Sequence, residues 1–375
     1  MTQLKSALDL TQELIRFNTI NPPGNEKPCA DYLGEILESA GFYVSYHDFA
    51  EDRTSLVARA GDGSKPPLCF TGHIDTVPLG AMKWSKDPLA AHIEDNRLYG
   101  RGSSDMKSGV AAFVFSMVEL MPHLKNTPGV VLVITAGEET GCEGAFQLVK
   151  QGDVLGEAGA IIVAEPSANY PLIGHKGALW LKARSQGITA HGSMPELGEN
   201  AIYKSARAIT KLEEFDFNVA RHEILGKPTL NVGTVEGGMN INSVPDIAEV
   251  GIDIRTIPSQ QHSQVKEGLQ SYLGEEVEID TLVNVGAIWT NPHDTWIREV
   301  FKIMTPILGG EIETRTASYF TDAAALTPAY GGAPTVILGP GEPLMAHQTD
   351  EYCQIDRIEQ AVEAYLKLAQ SWCEL

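Results

Sequence analysis

At 375 residues the chain is longer than one hydrophobic core normally serves, so two domains are expected. A formal net charge of -21 argues against nucleic acid and against an anionic membrane surface, since both require clustered Lys and Arg. The longest apolar stretch, Val110 to Val118, is too short to span a bilayer, and the opening residues carry Asp9 and Glu13 where a signal peptide has its apolar core. Cys29, Cys69, Cys142, Cys353 and Cys373 are odd in number and never form a C-x-x-C pair, which fits neither a disulfide framework nor a thiolate zinc site. A reducing cytoplasm is the expected home.

Leu4, Leu8, Thr11 and Ile15 share one face at helical spacing and predict a first helix that stops near Asn21-Pro22-Pro23-Gly24. A second helix is expected from Pro28 to Gly41. Leu68-Cys69-Phe70 then runs into Gly72-His73-Ile74-Asp75. The loop Gly100-Arg101-Gly102-Ser103-Ser104-Asp105 leads into a buried helix over Gly109 to Leu120. Val130 to Ile134 leads into Glu138-Glu139, Ala160 to Val163 into Glu165, and Thr335 to Leu338 precedes His347. Short runs rich in Val, Ile and Leu read as strands buried on both faces of a parallel sheet, and such sheets bind ligands beyond the carboxyl ends of their strands. Side by side, these runs would bring His73, Glu138, Glu139 and Glu165 to one rim.

Beyond about residue 173 the pattern changes. Ala178 to Ser185 alternates, Asn200 to Glu214 reads as a helix, and Thr229 to Val235 and Ile247 to Thr256 read as paired strands. A helix from Ser259 and a strand over Val277 to Leu282 complete a β-α-β-β-α-β order. With a helix from Trp296 to Leu308 the chain returns to α/β alternation. The expected fold class is α/β, a mixed and mostly parallel sheet with helices on both faces over residues 1–173 and 287–375, with an inserted α+β domain over 174–286.

His73 offers an imidazole, and Asp75 could hydrogen-bond its other nitrogen, as carboxylate partners of ligating histidines do. Taken alone, H-x-D at a strand end equally describes a structural histidine, Asp105 a turn residue, and Glu165 before Pro166 an ordinary loop carboxylate. Glu138-Glu139 is more telling, because two adjacent acids after a buried strand repel unless a cation or proton compensates them.

In their order along the chain these motifs resemble the dinuclear zinc aminoacylase and carboxypeptidase family, M20, which includes acetylornithine deacetylase, succinyl-diaminopimelate desuccinylase and glutamate-releasing carboxypeptidases. The resemblance implies two Zn2+ ions, for which Co2+ or Mn2+ could substitute. His73 and Glu165 would hold one ion, Glu139 and His347 the other, and Asp105 would bridge them. Glu138 would be the general base, Asp75 would orient His73, and the Asp105–Met106 bond would be cis. In the inserted segment Ala190-His191-Gly192-Ser193 matches the motif whose histidine stabilises the oxyanion. Asn242 in Asn242-Ser243-Val244-Pro245 and Arg255 in Asp253-Ile254-Arg255 match substrate contacts, with Arg255 suited to fork onto a carboxylate. Gly339 and Gly341 would present backbone amides to the substrate, although a plain turn explains Gly339-Pro340-Gly341 nearly as well. The inserted domain would act as a lid and dimerisation domain, giving a homodimer, and closure would carry His191 to the reacting atoms.

The resemblance therefore implies metal-assisted hydrolysis of a linear amide in a small-molecule N-acyl amino acid or short peptide. Gly339-Pro340-Gly341, Ala346-His347-Gln348 and Asp350-Glu351-Tyr352 look most like acetylornithine deacetylases. Thr321-Asp322-Ala323-Ala324 and Pro195-Glu196-Leu197-Gly198 look more like the glutamate-releasing carboxypeptidases. Desuccinylases usually carry an arginine just after the acid of the Thr321-Asp322 segment, where this chain has alanines. The reading of a different class is a binding protein that retains the metal-binding shell. Its mark would be loss of the base or of a ligand, and neither is seen.

Overall fold

The structure, a computed structural model, describes residues 4–375, which pack as two compact units. The larger comprises residues 4–174, 289–317 and 321–375, and the smaller comprises 175–288 with 318–320.

In the larger unit one sheet runs in the order Tyr43–Ala50, Arg53–Ala60, Val130–Thr135, Leu68–His73, Ala160–Val163, Thr335–Ile337. The last four strands are mutually parallel and the first two antiparallel, so the sheet is mixed and mostly parallel. The parallel strands are the apolar runs read in the sequence, and each is buried at every position. Tyr43–Ala50 escaped that reading because it is an edge strand alternating between exposed and partly buried residues, without a continuous apolar run. Register then fixes the rim: His73 pairs with Thr135 and Thr71 with Val163. Glu138 and Glu165 therefore leave their strands level with His73. A slip of one residue would turn His73 to the opposite face.

The first helix, Ala7–Arg16, starts at Ser6, whose Oγ accepts the Asp9 N–H at 3.0 Å. That cap leaves Leu4 outside the helix and turns Leu10, Thr11, Leu14 and Ile15 inward, in place of the expected Leu4 and Leu8 stripe. The second helix, Lys27–Ala40, ends at Gly41 with φ 104°, a left-handed stop that glycine adopts without strain. Helix Lys107–Leu124 packs into the same core as the sheet. Phe70 on the central strand meets Phe113 at 6.0 Å and, edge-on, Tyr365 of the helix Ile355–Cys373 at 5.5 Å. Tyr365 donates its hydroxyl to the Leu338 carbonyl at 2.6 Å, so its buried polar atom is satisfied. Truncating such a ring to alanine costs about 3–5 kcal/mol. Gly109 permits the helix to approach the strand end, because a Cβ there would strike the Ala164 carbonyl.

The smaller unit is an antiparallel sheet in the order Thr229–Gly237, Ile247–Thr256, Gly177–Gln186, Glu278–Val285, with helices Ala201–Glu213 and His262–Leu273. Leu179, Leu181, Val250, Ile252, Leu269 and Ile279 form its core. Asn200 caps the first helix by accepting the Tyr203 N–H at 3.1 Å. The helix expected from Ser259 begins only at His262, because Ile257 and Gln260 first close a turn on each other.

His175, buried at the start of this unit, has Nδ1 2.8 Å from the Lys176 carbonyl and an Nε2 without a partner. Burial lowers its pKa from 6.5 to about 4. The unfolded chain therefore binds a proton here that the folded chain refuses, so stability falls as pH drops below about 6.5. Between pH 7 and pH 5 the native protein should lose about 2 kcal/mol more than His175→Gln, measured by urea unfolding at both values.

Candidate metal centre

The strand ends deliver the centre of the site. His73 is the last residue of its strand, with Nδ1 3.0 Å from the Asp75 carbonyl oxygen. A carbonyl can only accept, so Nδ1 carries hydrogen and Nε2 is the nitrogen turned to the acids. It is buried without a hydrogen-bond partner, while Asp105 Oδ1 lies 3.3 Å, Glu165 Oε1 3.7 Å and Glu138 Oε2 3.9 Å away. Asp105 turns its other oxygen toward His347 Nε2 at 3.3 Å, and Glu139 Oε2 stands 3.1 Å from the same nitrogen. The residues read as ligands are thus brought together, with Asp105 between the two imidazoles. The Asp105–Met106 peptide is cis.

Four buried or nearly buried acids in this space repel one another. Among the described residues their ion pairs are to the two imidazoles. Burial, then the charge of Glu165, pushes Glu138 well above the ordinary carboxylate range. Burial lifts Glu165 to about 8, and burial with the charge of Asp105 lifts Glu139 to about 7. Burial also works against ionising Asp105, but His347 and His73 outweigh it and hold Asp105 low. Asp105 and Glu139 raise His347 to about 10, and at His73 the carboxylates of Glu165, Asp105 and Asp75 overcome a burial that opposes the charge. Divalent cations would resolve this frustration directly: they would replace shared protons and satisfy the orphaned His73 Nε2 and Glu139 Oε1, and the imidazole and carboxylate donors present suit zinc.

The Asp75 carboxylate does more than face His73. It lies 3.4 Å from His73 Nδ1, farther than the carbonyl of the same residue. Its oxygens accept the N–H groups of Glu138 at 3.1 Å and Glu139 at 3.2 Å, and Asn21 Nδ2 at 2.9 Å. Asp75 therefore fixes the turn that carries both acids. Gly339 also departs from expectation. Its N–H donates to Ser167 Oγ at 3.1 Å, so it is not offered to a substrate. Side chains at Gly339 and Gly341 would strike the carbonyls of Ala164 and Ser104, which explains both glycines by packing.

Sequence reasoning missed three residues here. Asp322 is buried, hydrogen-bonded by Thr135 Oγ1, and lifted by burial to about 6. Asn21 joins Asp75 to Thr140. Glu351, fully buried, accepts from Arg101 and from the loop that ends in Asp105. A buried acid has no signature of its own in one sequence, since its partners lie up to 250 residues away.

In the smaller unit His191 and Asn242 sit on paired loops, where Gly192 donates to the Asn242 carbonyl at 2.7 Å, and both side chains are exposed. The Ser193 N–H donates to His191 Nδ1 at 3.2 Å. Neutral His191 therefore carries its hydrogen on Nε2, a donor facing outward from that bond. Arg255 is already engaged, its Nε 2.9 Å from Asp253 Oδ1 and its Nη2 3.1 Å from Oδ2.

With this geometry established, the comparisons decide the family. The model of peptidase family M20/M25/M40 matches residues 69–371. The chain belongs to peptidase family M20/M25/M40. An acetylornithine deacetylase from Vibrio atlanticus (strain LGP32) is 30% identical over 394 residues, covering 99% of this chain and 100% of that protein. A probable succinyl-diaminopimelate desuccinylase of Staphylococcus aureus (strain Mu50) is 28% identical, covering 93% and 94%. The M20 family metallo-carboxypeptidase of Sulfolobus solfataricus superimposes with a TM-score of 0.85 at 20% identity, covering 99% and 100%, a likeness of fold. This M20 protein is a metal-dependent hydrolase acting on amide bonds, of a dinuclear metal-binding peptidase family. Among the described residues no helix is long and apolar enough to cross a membrane.

Because cations relieve repulsion that only the folded site creates, they should stabilise the fold. At a free concentration 100 times Kd, one bound ion adds about 2.7 kcal/mol. Calorimetry should show the melting temperature rising with added Zn2+ and falling in chelator, and an unchanged melting temperature would remove the cation reading.

Proposed function

We propose that this M20 hydrolase removes the acyl group from an N-acyl amino acid, in the manner of an acetylornithine deacetylase. His73 and Glu165 would hold one zinc ion and Glu139 and His347 a second, with Asp105 shared between them. The observation that carries the reading is the Asp105 carboxylate, which turns one oxygen to each imidazole inside a cluster of acids with no other cationic partner among the described residues. Likeness to the Vibrio deacetylase along essentially the whole chain supports the acyl class. The desuccinylase likeness keeps N-succinyl substrates as the second reading, although Ala323 and Ala324 follow Asp322 where those enzymes usually carry arginine. Glutamate-releasing carboxypeptidase activity is tested alongside them.

A pair of zinc ions in this site would lower the pKa of a water to roughly 7 and offset the charge of a developing oxyanion. Glu138 is the general base. Its backbone is held by a turn whose amides are fixed on Asp75, which keeps the carboxylate beside the proposed ligands, where it takes the proton of the water and returns it to the leaving amine. His191 donates its Nε2 hydrogen to the oxyanion, and Asn242 on the paired loop contacts the substrate. Arg255 takes the substrate carboxylate in competition with Asp253. Gly341 borders the site, while Gly339 serves the packing of the loop.

In this reading the larger unit is the catalytic domain and the smaller a lid and dimerisation domain. Support for a homodimer comes from an edge strand, Thr229–Gly237, with Val235 61% exposed and the following Met239 and Ile241 wholly exposed. Sheet edges of this kind pair readily with a second copy. The five buried free cysteines fit a reducing, cytoplasmic setting.

The test is amine release from N-acetyl, N-succinyl and glutamyl-terminated amino acids by zinc-loaded protein. N-acetylornithine should be preferred, and release of no amine from any substrate would overturn the reading. Glu138→Gln should lower kcat by about 10²- to 10⁴-fold while elemental analysis still finds both ions. Sedimentation should give twice the monomer mass, and Val235→Glu with Ile241→Glu should halve it.

A further inference from the structure

Two of the proposed zinc ligands, Asp105 and His347, ride on loops rather than on strand ends, and one buried carboxylate ties those loops together. Glu351 is fully buried. Its Oε1 accepts the N–H of Ser104 at 2.8 Å and of Asp105 at 3.0 Å. Its Oε2 accepts Arg101 Nη1 at 2.6 Å and the N–H of Gly102 at 3.1 Å. Arg101, itself buried, adds a bond from Nη2 to the Pro78 carbonyl at 3.1 Å and lies over the Trp84 ring. A single carboxylate thus binds three of the four amides from Gly102 to Asp105.

The same group reaches the other loop by chain continuity, because Glu351 follows His347 by four residues. Ser104 closes the connection. Its Oγ donates to the Tyr352 carbonyl at 2.7 Å and accepts the Glu342 N–H at 2.8 Å, gripping the His347 segment on both sides. Within that segment His347 and Asp350 hold left-handed backbone, with φ of 64° and 57°. Such conformations persist only where surroundings over-determine them. His347, with a side chain 54% exposed, has little packing of its own to hold it. His73 and Glu165 need none of this, since they leave buried strands of the sheet.

We infer that Glu351, with Ser104, is a positioning residue that sets the distance between Asp105 and His347 and so tunes the cation site of Glu139 and His347 more strongly than that of His73 and Glu165, Asp105 being shared by both. The inference rests on the ligand reading above. Outer partners of metal ligands typically govern affinity by about 10- to 100-fold.

The experiment is a titration of metal-free protein with Co2+, following its visible absorption and competing with a chelator of known affinity. Wild type should take two equivalents. In Glu351→Gln the first should bind as in wild type, and the second should bind about 10- to 100-fold more weakly with an altered spectrum. Ser104→Ala, which removes the link between loops without stranding a buried charge, should shift the second equivalent in the same direction and decides the matter if Glu351→Gln does not fold. Restoration by Ser104→Thr, which keeps the hydroxyl, would further support it. Two unchanged equivalents in the folded variants, or equal weakening of both, would overturn the positioning role. Failure of wild type to bind two ions would instead overturn the ligand reading.

Discussion

The constraint on which this molecule depends is the burial of mutually repelling carboxylates at one end of a parallel sheet. Glu138, Glu165 and Asp105 are all nearly inaccessible to water, and Glu139 stands beside them. Burying one unpaired carboxylate already costs several kcal/mol, so such a cluster persists only if something positive is shared among its members. Two imidazoles supply part of that charge, and the proposed cations would supply the remainder. The tension is tolerable because the scaffold beneath is rigid: strands buried at every position, crossed by a helix that Gly109 lets approach closely.

Around the acids a layer of hydrogen bonds converts a repelling cluster into an ordered one. Asp75 gathers the amides of Glu138 and Glu139, and Glu351 gathers those of Gly102, Ser104 and Asp105. In each case an anion faces backbone N–H groups, the arrangement that most favours its charged form. Asp105, Glu138 and Glu139 are therefore aimed by buried acids that hold backbone, and their placement derives from turns whose amides are tied down.

The chemistry divides between two units with separate cores. The four acids, with His73 and His347, belong to the larger, whereas His191, Asn242 and Arg255 belong to the smaller. The local structure of the smaller unit already sets the tautomer of His191 through the Ser193 amide.

Much of this was legible in the sequence. Continuous apolar runs announced the four parallel strands, and the placement of His73, Glu138, Glu139 and Glu165 at or just beyond their ends followed from the period and direction of strands alone. Alternation over Ala178 to Ser185 announced one strand of the smaller unit's sheet, and Asn200 to Glu214 read as the helix that Asn200 caps. Other features were decided only by tertiary structure. The edge strand Tyr43–Ala50 has no apolar run, because solvent covers part of it. The stripe of the first helix turned on a cap at Ser6. The pairing of Asp75 with two distant amides, the engagement of Arg255 by Asp253, the inward use of the Gly339 N–H and the caging of the Asp105 loop by Glu351 all join groups through space. Sequence period determines which way a side chain points from its own element, but not which partner the folded chain brings to meet it.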